Sequence, residues 1–415
     1  MIEEGMFTVT KKCVTFIFAT LLMLSVSNAA VPASTVPEGE SFPPRVSAIR
    51  GSTIAVRTVS AMNYRVPTSM GILPDGTLIA WGSGYLNSEE FVTESPPISV
   101  LSDVAAVTLD TWQALAITSD GGLWAWAVTF GRPPAGQLGE DMTPRRVMDN
   151  VVYATTGGAN SLVITADGVL WGVGMSGWLF DEDGTTFESA DTPVRVMDNV
   201  KTAAISTNHI LVVTNDGTVW TWGREIDGRL GTDHRGDRHA GKNSMIRVMD
   251  NVAAVAAGHN HSLALTYDGV VWAWGSNFAG QLGVPGHRSH DGPVRVMDDV
   301  VAIAAGGNGA LSRGHSFAIT SDGGLWGWGF NGAEGRIGID YGSNAHIFGQ
   351  DWNQGLPVRI LDNVVSITTH EIHSMALTDD GAVWMWGDSE PSFGVLTARH
   401  RTPRRVMDGF NTTLP

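Results

Sequence analysis

The stretch GHNHSLALTYDGVVWAWGSNFAGQLG, at residues 258–283, decides the fold because versions of it recur along almost the whole chain. Its Asp-Gly step returns at intervals of 45 to 58 residues, which is within and just above the repeat length of propeller blades. The seven steps begin at Asp75, Asp120, Asp167, Asp216, Asp268, Asp322 and Asp380. Seven units of this size predict one closed ring.

Each unit reads as four short strands. In the quoted stretch, residues 262–266 and 270–274 are apolar or alternating and flank the Asp-Gly pair, which tolerates the positive φ angles of a tight two-residue hairpin turn. Residues 252–257 upstream and 294–297 downstream have the composition of further strands. The sequence therefore predicts an all-β protein, a seven-bladed β-propeller with four antiparallel strands per blade.

The repeat resembles the regulator of chromosome condensation repeat family, whose members are seven-bladed propellers. The residues that carry the resemblance best are Gly258, His259, His261, Ser262, Ala264, Leu265, Asp268, Gly269, Trp272, Trp274, Gly275, Asn277, Gly280, Gln281, Leu282 and Gly283. The likeness runs from roughly residue 53 onward, although the Gly-Gln-Leu-Gly tail is absent from the first and third units. It implies the fold, whereas a shared activity does not follow, because one fold hosts unrelated functions.

The N-terminal segment has the pattern of a secretory signal peptide at residues 1–29. Lys11 and Lys12 precede an apolar run at residues 14–26, and small residues follow at 27–29. The run is shorter than the roughly 20 residues that span a bilayer, so membrane contact is expected only through this signal. The sequence therefore predicts a secreted or cell-envelope protein, with a flexible leader at residues 30–44 and a single propeller at residues 45–415.

The termini compete for one position in the predicted ring. Residues 403–407 match the Pro-x-Arg-Val opening of the other fourth strands, and residues 44–46, Pro-Arg-Val, resemble it. We expect the C-terminal segment to complete the last blade, because its short tether costs less loop-closure entropy. Cys13 lies within the predicted signal and is the sole cysteine, so a mature exported chain has no disulfide and depends on its buried core.

The sequence is tryptophan-rich at one position of the repeat. Side chains at i and i+2 of a strand point to the same face, where two tryptophans can fill the gap between neighbouring blades. Twelve of the fifteen tryptophans occupy this Trp-x-Trp position of the third strand: Trp81, Trp124, Trp126, Trp171, Trp220, Trp222, Trp272, Trp274, Trp326, Trp328, Trp384 and Trp386. Packing between blades accounts for these tryptophans, so the sequence does not call for a second role such as light sensing.

The motifs do not indicate catalysis, a metal or a cofactor. There is no G-x-S-x-G elbow, no phosphate-binding Gly-Lys-Ser/Thr loop and no carboxylate pair at a diagnostic spacing. We expect the repeat histidines to hydrogen-bond loop backbone: His259, His261, His315 and His373. His287 and His290, with Asp291 beside them, are the alternative, a divalent-ion site if a third ligand approaches.

Length varies mainly in one class of connection. The Asp-Gly turns and the blade-to-blade passages are uniform, whereas the connections between third and fourth strands diverge at residues 129–143, 175–192, 224–245, 276–292, 330–356 and 388–402. In an antiparallel blade these connections emerge at one end, and recognition usually resides in divergent loops on a rigid scaffold. The predicted partner-binding residues are the aromatics of these loops: Phe130, Trp178, Phe180, Phe278, Tyr341, Phe348 and Trp352.

Composition narrows the partner. A formal charge of −16 argues against nucleic acid, which calls for a basic surface, and against the chromatin-linked nucleotide exchange known in the family. The leading hypothesis is a non-enzymatic scaffold that binds a protein. The alternative is a glycan-binding or glycan-cleaving propeller of the cell envelope with Trp178 or Trp352 as a sugar platform. In a third interpretation each loop aromatic only pins its own loop.

Overall fold

The computed structural model describes residues 54–61, 64–84, 92–110, 112–128, 138, 142–158, 160–174, 179–180, 186–187, 190–232, 245–308, 313–332, 334–341, 353–371, 373–387 and 400–409. These residues lie in one compact unit and form seven four-stranded antiparallel sheets. They include no helix of the length and apolarity needed to cross a membrane. The predicted all-β, seven-bladed propeller is confirmed.

The first four blades follow one another along the chain. Blade 1 contains β1 (Ile54–Ala61), β2 (Tyr64–Ile72), β3 (Leu78–Gly84) and β4 (Val92–Leu101). Blade 2 contains β5 (Val104–Leu109), β6 (Gln113–Thr118), β7 (Leu123–Ala127) and β8 (Arg145–Met148). Blade 3 contains β9 (Val151–Gly157), β10 (Asn160–Thr165), β11 (Leu170–Gly174) and β14 (Ala190–Met197), with the short pair β12 (Leu179–Phe180) and β13 (Thr186–Phe187) in its last connection. Blade 4 contains β15 (Val200–Ile205), β16 (His209–Thr214), β17 (Val219–Gly223) and β18 (Ile246–Met249).

The remaining three blades complete the ring. Blade 5 contains β19 (Val252–Ala257), β20 (His261–Thr266), β21 (Val271–Gly275) and β22 (His290–Met297). Blade 6 contains β23 (Val300–Asn308), β24 (Arg313–Thr320), β25 (Leu325–Phe330) and β26 (Asn353–Leu361). Blade 7 contains β27 (Val364–Thr369), β28 (His373–Thr378), β29 (Val383–Gly387) and β30 (His400–Met407). First strands of neighbouring blades contact each other, so they lie innermost.

The ring closes between blades 7 and 1 without exchanging a strand. The C-terminal β30 pairs with β29 and completes blade 7, as expected from its short tether. On the other side, β1 packs against β27 and β28. Residues 44–46, the competing N-terminal segment, lie outside the described residues, as do the predicted signal and leader.

The Asp-Gly turn differs from the two-residue turn predicted for it. Gly269 donates its N–H to the carbonyl of Thr266, and Thr266 donates to the carbonyl of Val270, which defines a type I turn followed by a one-residue bulge. Only the glycine has a positive φ, of 82°. In blade 2 the aspartate is held instead by Thr118, whose hydroxyl donates to Asp120 Oδ1 at 2.6 Å. The turn of blade 1 has the same backbone hydrogen bonds with Leu73 in the place of the threonine, so this side-chain bond accompanies the turn and does not determine its type.

The blade-to-blade passages use asparagine or aspartate for the same purpose. The residue before each first strand has φ between 57° and 64°: Asp103, Asn150, Asn199, Asn251, Asp299 and Asn363. These two residue types tolerate the left-handed region because their short side chains hydrogen-bond locally. The repeated Met-Asp-Asn-Val step therefore encodes a chain reversal.

An arginine recurs in the fourth strands of the blades, and its contacts within this chain explain why. Arg359 pairs with Asp362 of the passage at 2.7 Å and with Asp322 of the Asp-Gly turn at 2.9 Å. Arg146 and Arg405 make the same two contacts in blades 2 and 7. All of these groups are largely exposed, so each pair adds little stability, but together they align turn and passage.

The tryptophans pack between blades, as predicted. The second tryptophan of the pair is fully buried against the preceding blade at Trp126, Trp222, Trp274, Trp328 and Trp386. Trp81 of blade 1 packs in the same way on Met375 and Leu377 of blade 7, which seals the ring. Blade 3 carries Val173 at this position. The core is therefore a continuous series of seven inter-blade layers.

Candidate functional site

The two ends of the ring differ, and hydrogen bonds define each of them. At one end, here called the turn face, Val300 N–H of blade 6 donates to the carbonyl of Gly269 in the Asp-Gly turn of blade 5 at 2.9 Å. Five more blade junctions repeat this bond. At the other end, the loop face, Ser276 at the start of a third connection donates to Asn260 of the first turn. Within the described residues, the divergent connections thus leave from one face, as predicted.

A repeated corner begins each well-described connection of the loop face. In blade 5, Asn277 Oδ1 accepts from Leu282 N–H at 3.0 Å, and Asn277 Nδ2 donates to the carbonyl of Gly286 at 2.9 Å. Gln281 Oε1 accepts from Ala279 N–H at 2.8 Å. These buried amides shape the base of the loop.

The same corner in blades 4 and 6 is built from charged and polar residues. Glu225 accepts from the N–H groups of Gly228 and Leu230 at 2.7 and 3.0 Å. Burial raises the pKa of Glu225 although both bonds stabilise the carboxylate. Asn331 accepts from Ile337 N–H at 3.0 Å in blade 6. The buried carboxylate of blade 4 therefore performs the structural task that an asparagine performs elsewhere.

Each corner is joined to the next blade by three groups. The carbonyl of Arg229 in blade 4 accepts from Trp274 Nε1 and from Ser262 Oγ of blade 5, both at 2.9 Å. Gln281 accepts from Trp328 and Ser316 in the same way, and Arg336 accepts from Trp386 and Ser374. The buried tryptophan that fills the core between two blades therefore also anchors the loop face, through the hydrogen bond from its indole N–H.

The histidines of the repeat form a buried belt between blades. His209 Nε2 lies 2.8 Å from Ser262 Oγ, and His261 Nε2 lies 2.9 Å from Ser316 Oγ, in each case in the next blade. His315 contacts Thr369 Oγ1 at 2.6 Å. The expectation of bonds to loop backbone was wrong for His261 and His315, because the partners of their Nε2 atoms are hydroxyl groups across a blade boundary. His259, on the first turn of blade 5, faces the Asn208 side chain at 3.0 Å.

The belt is held in its neutral state. Ser316 gives its hydroxyl proton to the carbonyl of Gln281, so its oxygen accepts and His261 Nε2 carries the proton. His261 Nδ1 is buried without a partner among the described residues, and a second proton there has no acceptor. Burial lowers the pKa of His261 to about 3, and it lowers the pKa of His373 to about 3 as well. These side chains are structural.

The alternative metal site does not assemble in the described part of the chain. Its residues His287, His290 and Asp291 all lie there, on the connection into β22. Across the described ranges, no three side chains of His, Cys, Asp or Glu come close enough together to hold a metal ion.

Two of the seven predicted contact residues are described in full, and both are exposed on the loop face. Phe278 projects from the corner of blade 5 with 56% of its surface exposed, and Tyr341 of blade 6 is 38% exposed. Phe180 lies in β12, and the structure places only its backbone. The other four residues lie outside the described ranges: Phe130, Trp178, Phe348 and Trp352.

Phe278 and Tyr341 flank one contact between blades 5 and 6. Gly280 lies against the start of β26 so closely that a Cβ there would approach Gly355 Cα to 2.6 Å. Tyr341 donates its hydroxyl to Gln354 Oε1 at 3.0 Å beside that contact. Leu356, next to Gly355, is 50% exposed. Phe278, Tyr341 and Leu356 are called the apolar cluster below.

Leu356 was missed by sequence reasoning, although a signal existed. It precedes the proline that opens the fourth strand, where other blades carry Thr143, Thr192, Gly292 and Thr402. An apolar residue at that position therefore departs from the repeat. The other large apolar residues that are exposed in the described part of the chain lie at the turn face: Val152, Tyr267, Val301 and Val365. The three valines are exposed because a β-bulge in the first strand turns each of them outward.

The fold and the sequence have relatives among known proteins. The chain is 32% identical over 171 residues to the probable E3 ubiquitin-protein ligase HERC6 of Homo sapiens, covering 40% of this chain but 16% of that protein. It thus spans less than a fifth of that relative's length. Prp20p of Saccharomyces cerevisiae shares the fold with a TM-score of 0.62 at 21% identity, over 74% of this chain and 77% of that chain.

A second structure of that yeast protein, bound to Kap60, gives a TM-score of 0.66 at 19% identity, over 92% of this chain and 91% of that chain. At such identities the likeness shows the fold alone. The profile of the RCC1-like domain matches residues 77–390, well over half of the chain. The protein is therefore a member of the RCC1-like domain family.

Proposed function

We propose that this protein is an exported, non-enzymatic scaffold that recognises a protein partner through its loop face. The observation that carries the proposal is the apolar cluster, Phe278, Tyr341 and Leu356, on the boundary between blades 5 and 6. Exposed aromatic and aliphatic side chains on a rigid support are the usual anchors of protein interfaces. Because hydrogen-bonded corners fix the cluster, little conformational entropy is lost on binding.

The relatives support this class of function and leave the partner open. The yeast Prp20p structure is described together with binding to Gsp1p and histones, and the second structure holds Kap60. Those partners belong to that protein. What they contribute here is the precedent that a propeller of this family binds other proteins. Protein binding also agrees with a loop face on which the buried carboxylates among the described residues, Asp110 and Glu225, both accept hydrogen bonds from the backbone of their own loops.

Export is the second part of the proposal, and it rests on the N-terminal pattern of Lys11, Lys12 and the apolar run at residues 14–26. Expression in the native host and N-terminal sequencing of the protein outside the cytoplasm test it. We expect the mature chain to begin at Ala30. A protein that retains Met1 and stays in the cytoplasm would contradict export but leave the binding surface unaffected.

The experiment that tests partner binding compares two faces of the same ring. The full chain and its Phe278→Ser/Leu356→Ser variant are immobilised, and extracytoplasmic proteins captured from the native host are quantified by mass spectrometry. A Val301→Ser variant, which alters an exposed valine of the turn face, serves as the control. We expect the loop-face variant to lose its specific partner by roughly tenfold or more, since anchor residues each contribute over ~1 kcal/mol.

Capture that is unchanged in the loop-face variant, or lost in the Val301→Ser control, contradicts the proposal. The glycan alternative rests on Trp178 and Trp352, which lie outside the described residues. A glycan array run with the same proteins separates the two functions, because binding to glycans with no captured protein favours the alternative.

A further inference from the structure

The inner hairpins of the blades, each made of a blade's first two strands, do not all end at the same height. In blades 2, 3, 4, 5 and 7 only two residues join the last bonded pair; in blade 5, Gly258 donates to His261 across that turn. In blade 6 the ladder continues for two more pairs, ending with Asn308 opposite Arg313. In blade 1 it continues for four more pairs, ending with Ala61 opposite Tyr64.

The two long hairpins stand on either side of blade 7. At about 3.3 Å per residue, the extra pairs raise them by roughly 13 Å in blade 1 and roughly 7 Å in blade 6. Ring closure makes both of them neighbours of blade 7, since β1 and β23 each pack against β27. The first turn of blade 7, with His370 and Glu371, is short. The region that the described residues of these two hairpins and of that turn border is called the blade-7 notch.

The blade 6 wall of the notch carries an arginine stacked on an aromatic ring. The guanidinium of Arg313 lies 4.8 Å from the ring centroid of Phe330, and that of Arg336 lies 4.9 Å from the same centroid. Arg336 donates to the carbonyl of Glu371 at 2.9 Å, which places this stack at the junction with blade 7. Glu334 Oε2 approaches Arg336 Nε to 3.6 Å.

Arg313 differs from the arginines around it. It is half-buried and makes no ion pair with any carboxylate among the described residues, whereas Arg336 and Arg401 at the same boundary each have one. In a chain of net charge −16, this guanidinium offers an acidic ligand a positive group on the loop face, and its stack on Phe330 sets it apart from the exposed Arg224 and Arg288. Stacking leaves its N–H fork oriented and weakly hydrated, which favours a bidentate bond to a carboxylate.

A shallow polar depression lies further out at the same boundary between blades 6 and 7. It is lined by Asp340, His400, Arg401 and Thr402. Arg401 also lies against the blade 6 corner, because a Cβ at Gly335 would approach its Cα to 2.3 Å. The boundary therefore offers polar partners from the inner hairpin to the outer strand, the direction in which an extended peptide would lie.

We propose that the blade-7 notch binds an extended acidic segment of a protein partner, with an aspartate or glutamate of that segment paired to Arg313. This inference rests on the proposed function and specifies it further. The raised hairpins of blades 1 and 6 define the direction of the segment, and the stacked guanidinium defines the chemistry of one of its side chains. The apolar cluster on the blade 5–6 boundary is a separate anchor.

A peptide selection tests the proposal directly. A display library of random twelve-residue peptides is selected on the purified full chain and, in parallel, on its Arg313→Glu variant. We expect one position enriched in Asp or Glu for the native chain, and Lys or Arg at that position for the charge-reversed variant. A merely structural role for Arg313 does not produce such an exchange of preference.

Affinity measurements on one selected peptide follow. Fluorescence anisotropy is expected to show binding weakened roughly tenfold to a hundredfold by Arg313→Gln, the loss expected for a charged hydrogen bond, and a comparable loss when the peptide's own carboxylate becomes an amide. Arg288→Gln, which alters an exposed arginine of the blade 5 loop, is the matched control and leaves the affinity unchanged. Circular dichroism checks that each variant is folded. Should Arg313→Gln fail that check, Arg313→Lys replaces it and is expected to bind several-fold more weakly.

Either of two outcomes would contradict the binding of an acidic segment at the notch. The first is a selection without an acidic preference, and the second is acidic peptides that bind Arg313→Gln as tightly as the native chain. The test is independent of the one for the proposed function. Capture that depends on Phe278 and Leu356, without an acidic preference at Arg313, overturns the notch alone. An acidic preference at Arg313, with capture unaffected by the Phe278→Ser/Leu356→Ser variant, overturns the assignment of partner binding to the apolar cluster alone.

Discussion

Replacing His261 by glutamine is expected to make the propeller more resistant to acid while leaving its fold unchanged. The chain supplies its own template for this change, because blade 2 carries Gln113 at the equivalent position, where its Nε2 donates to Ser161 Oγ at 2.8 Å. A glutamine at position 261 can donate to Ser316 in the same way. What the substitution removes is the ability of this buried group to take up a proton.

The magnitude follows from linkage between folding and protonation. The pKa of His261 is about 3 in the folded protein against an ordinary value of 6.5, so between those pH values the unfolded chain binds a proton that the folded chain rejects. Stability contributed by this group is complete above pH 6.5 and falls as the pH drops toward 3. The fall is about 1.4 kcal/mol per pH unit, or about 2.7 kcal/mol by pH 4.5.

Urea denaturation followed by tryptophan fluorescence at several pH values between 7 and 4.5 measures the effect. The free energy of unfolding of His261→Gln should change less steeply with pH than that of the native chain, by about 1.4 kcal/mol per pH unit. The reciprocal substitution Gln113→His buries a histidine in blade 2 and should steepen the dependence. Each variant thus controls for the other.

If the free energy of unfolding depends on pH equally in the native chain and in His261→Gln, this reasoning is refuted. Such a result would mean that the imidazole of His261 has the same pKa in the folded and unfolded chains. If Gln113→His leaves the pH dependence of the unfolding free energy unchanged, a buried histidine in blade 2 does not have the lowered pKa expected for it.

Three further predictions concern stability. Trp274→Val gives blade 5 the residue that blade 3 carries as Val173. It should lower the free energy of unfolding, measured by urea denaturation, by about 3 to 5 kcal/mol, because it leaves a cavity between blades and removes an indole donor. A loss below ~1 kcal/mol would show that the neighbouring side chains fill the cavity. Asn251→Val should cost about 1 to 2 kcal/mol more than Asn251→Gly because a β-branched residue resists the left-handed conformation, and equal melting temperatures would contradict this. Arg359→Gln should lower the free energy of unfolding by less than ~1 kcal/mol, since its ion pairs are exposed, and a larger loss would mean that turn and passage unfold together.

Much of the architecture was accessible from local pattern. The strand predicted at residues 252–257 is β19 as observed, and both strands of the following hairpin, β20 and β21, lie within one residue of their predicted positions. Patterns of this kind are local because each blade pairs consecutive strands. The burial of the second tryptophan was predictable for the same reason, since it follows from side-chain alternation in one strand.

Local pattern failed where a neighbouring blade decides the outcome. His261 was expected to bind loop backbone, but its partner Ser316 lies 55 positions away in another blade. The Asp-Gly turn was assigned as a two-residue turn, whereas its backbone hydrogen bonds close a type I turn followed by a one-residue bulge, and the Asp-Gly pair by itself does not distinguish the two. The histidine error concerns a hydrogen bond between side chains of two blades, and the turn error concerns backbone hydrogen bonds. The residue composition of a segment does not specify the geometry of either.

The sequence by itself determined that seven four-stranded units repeat, which residues they bury, and which connections diverge, because each of these properties is written in spacing and hydrophobicity within about fifty residues. Only the tertiary structure decided what those connections make together. Closure of the ring brings the hairpin of β1 and β2 beside blade 7, and the contact between blades 5 and 6 brings Gly280 against Gly355. Such neighbours are far apart in the chain and share no pattern, so only folding reveals that they meet.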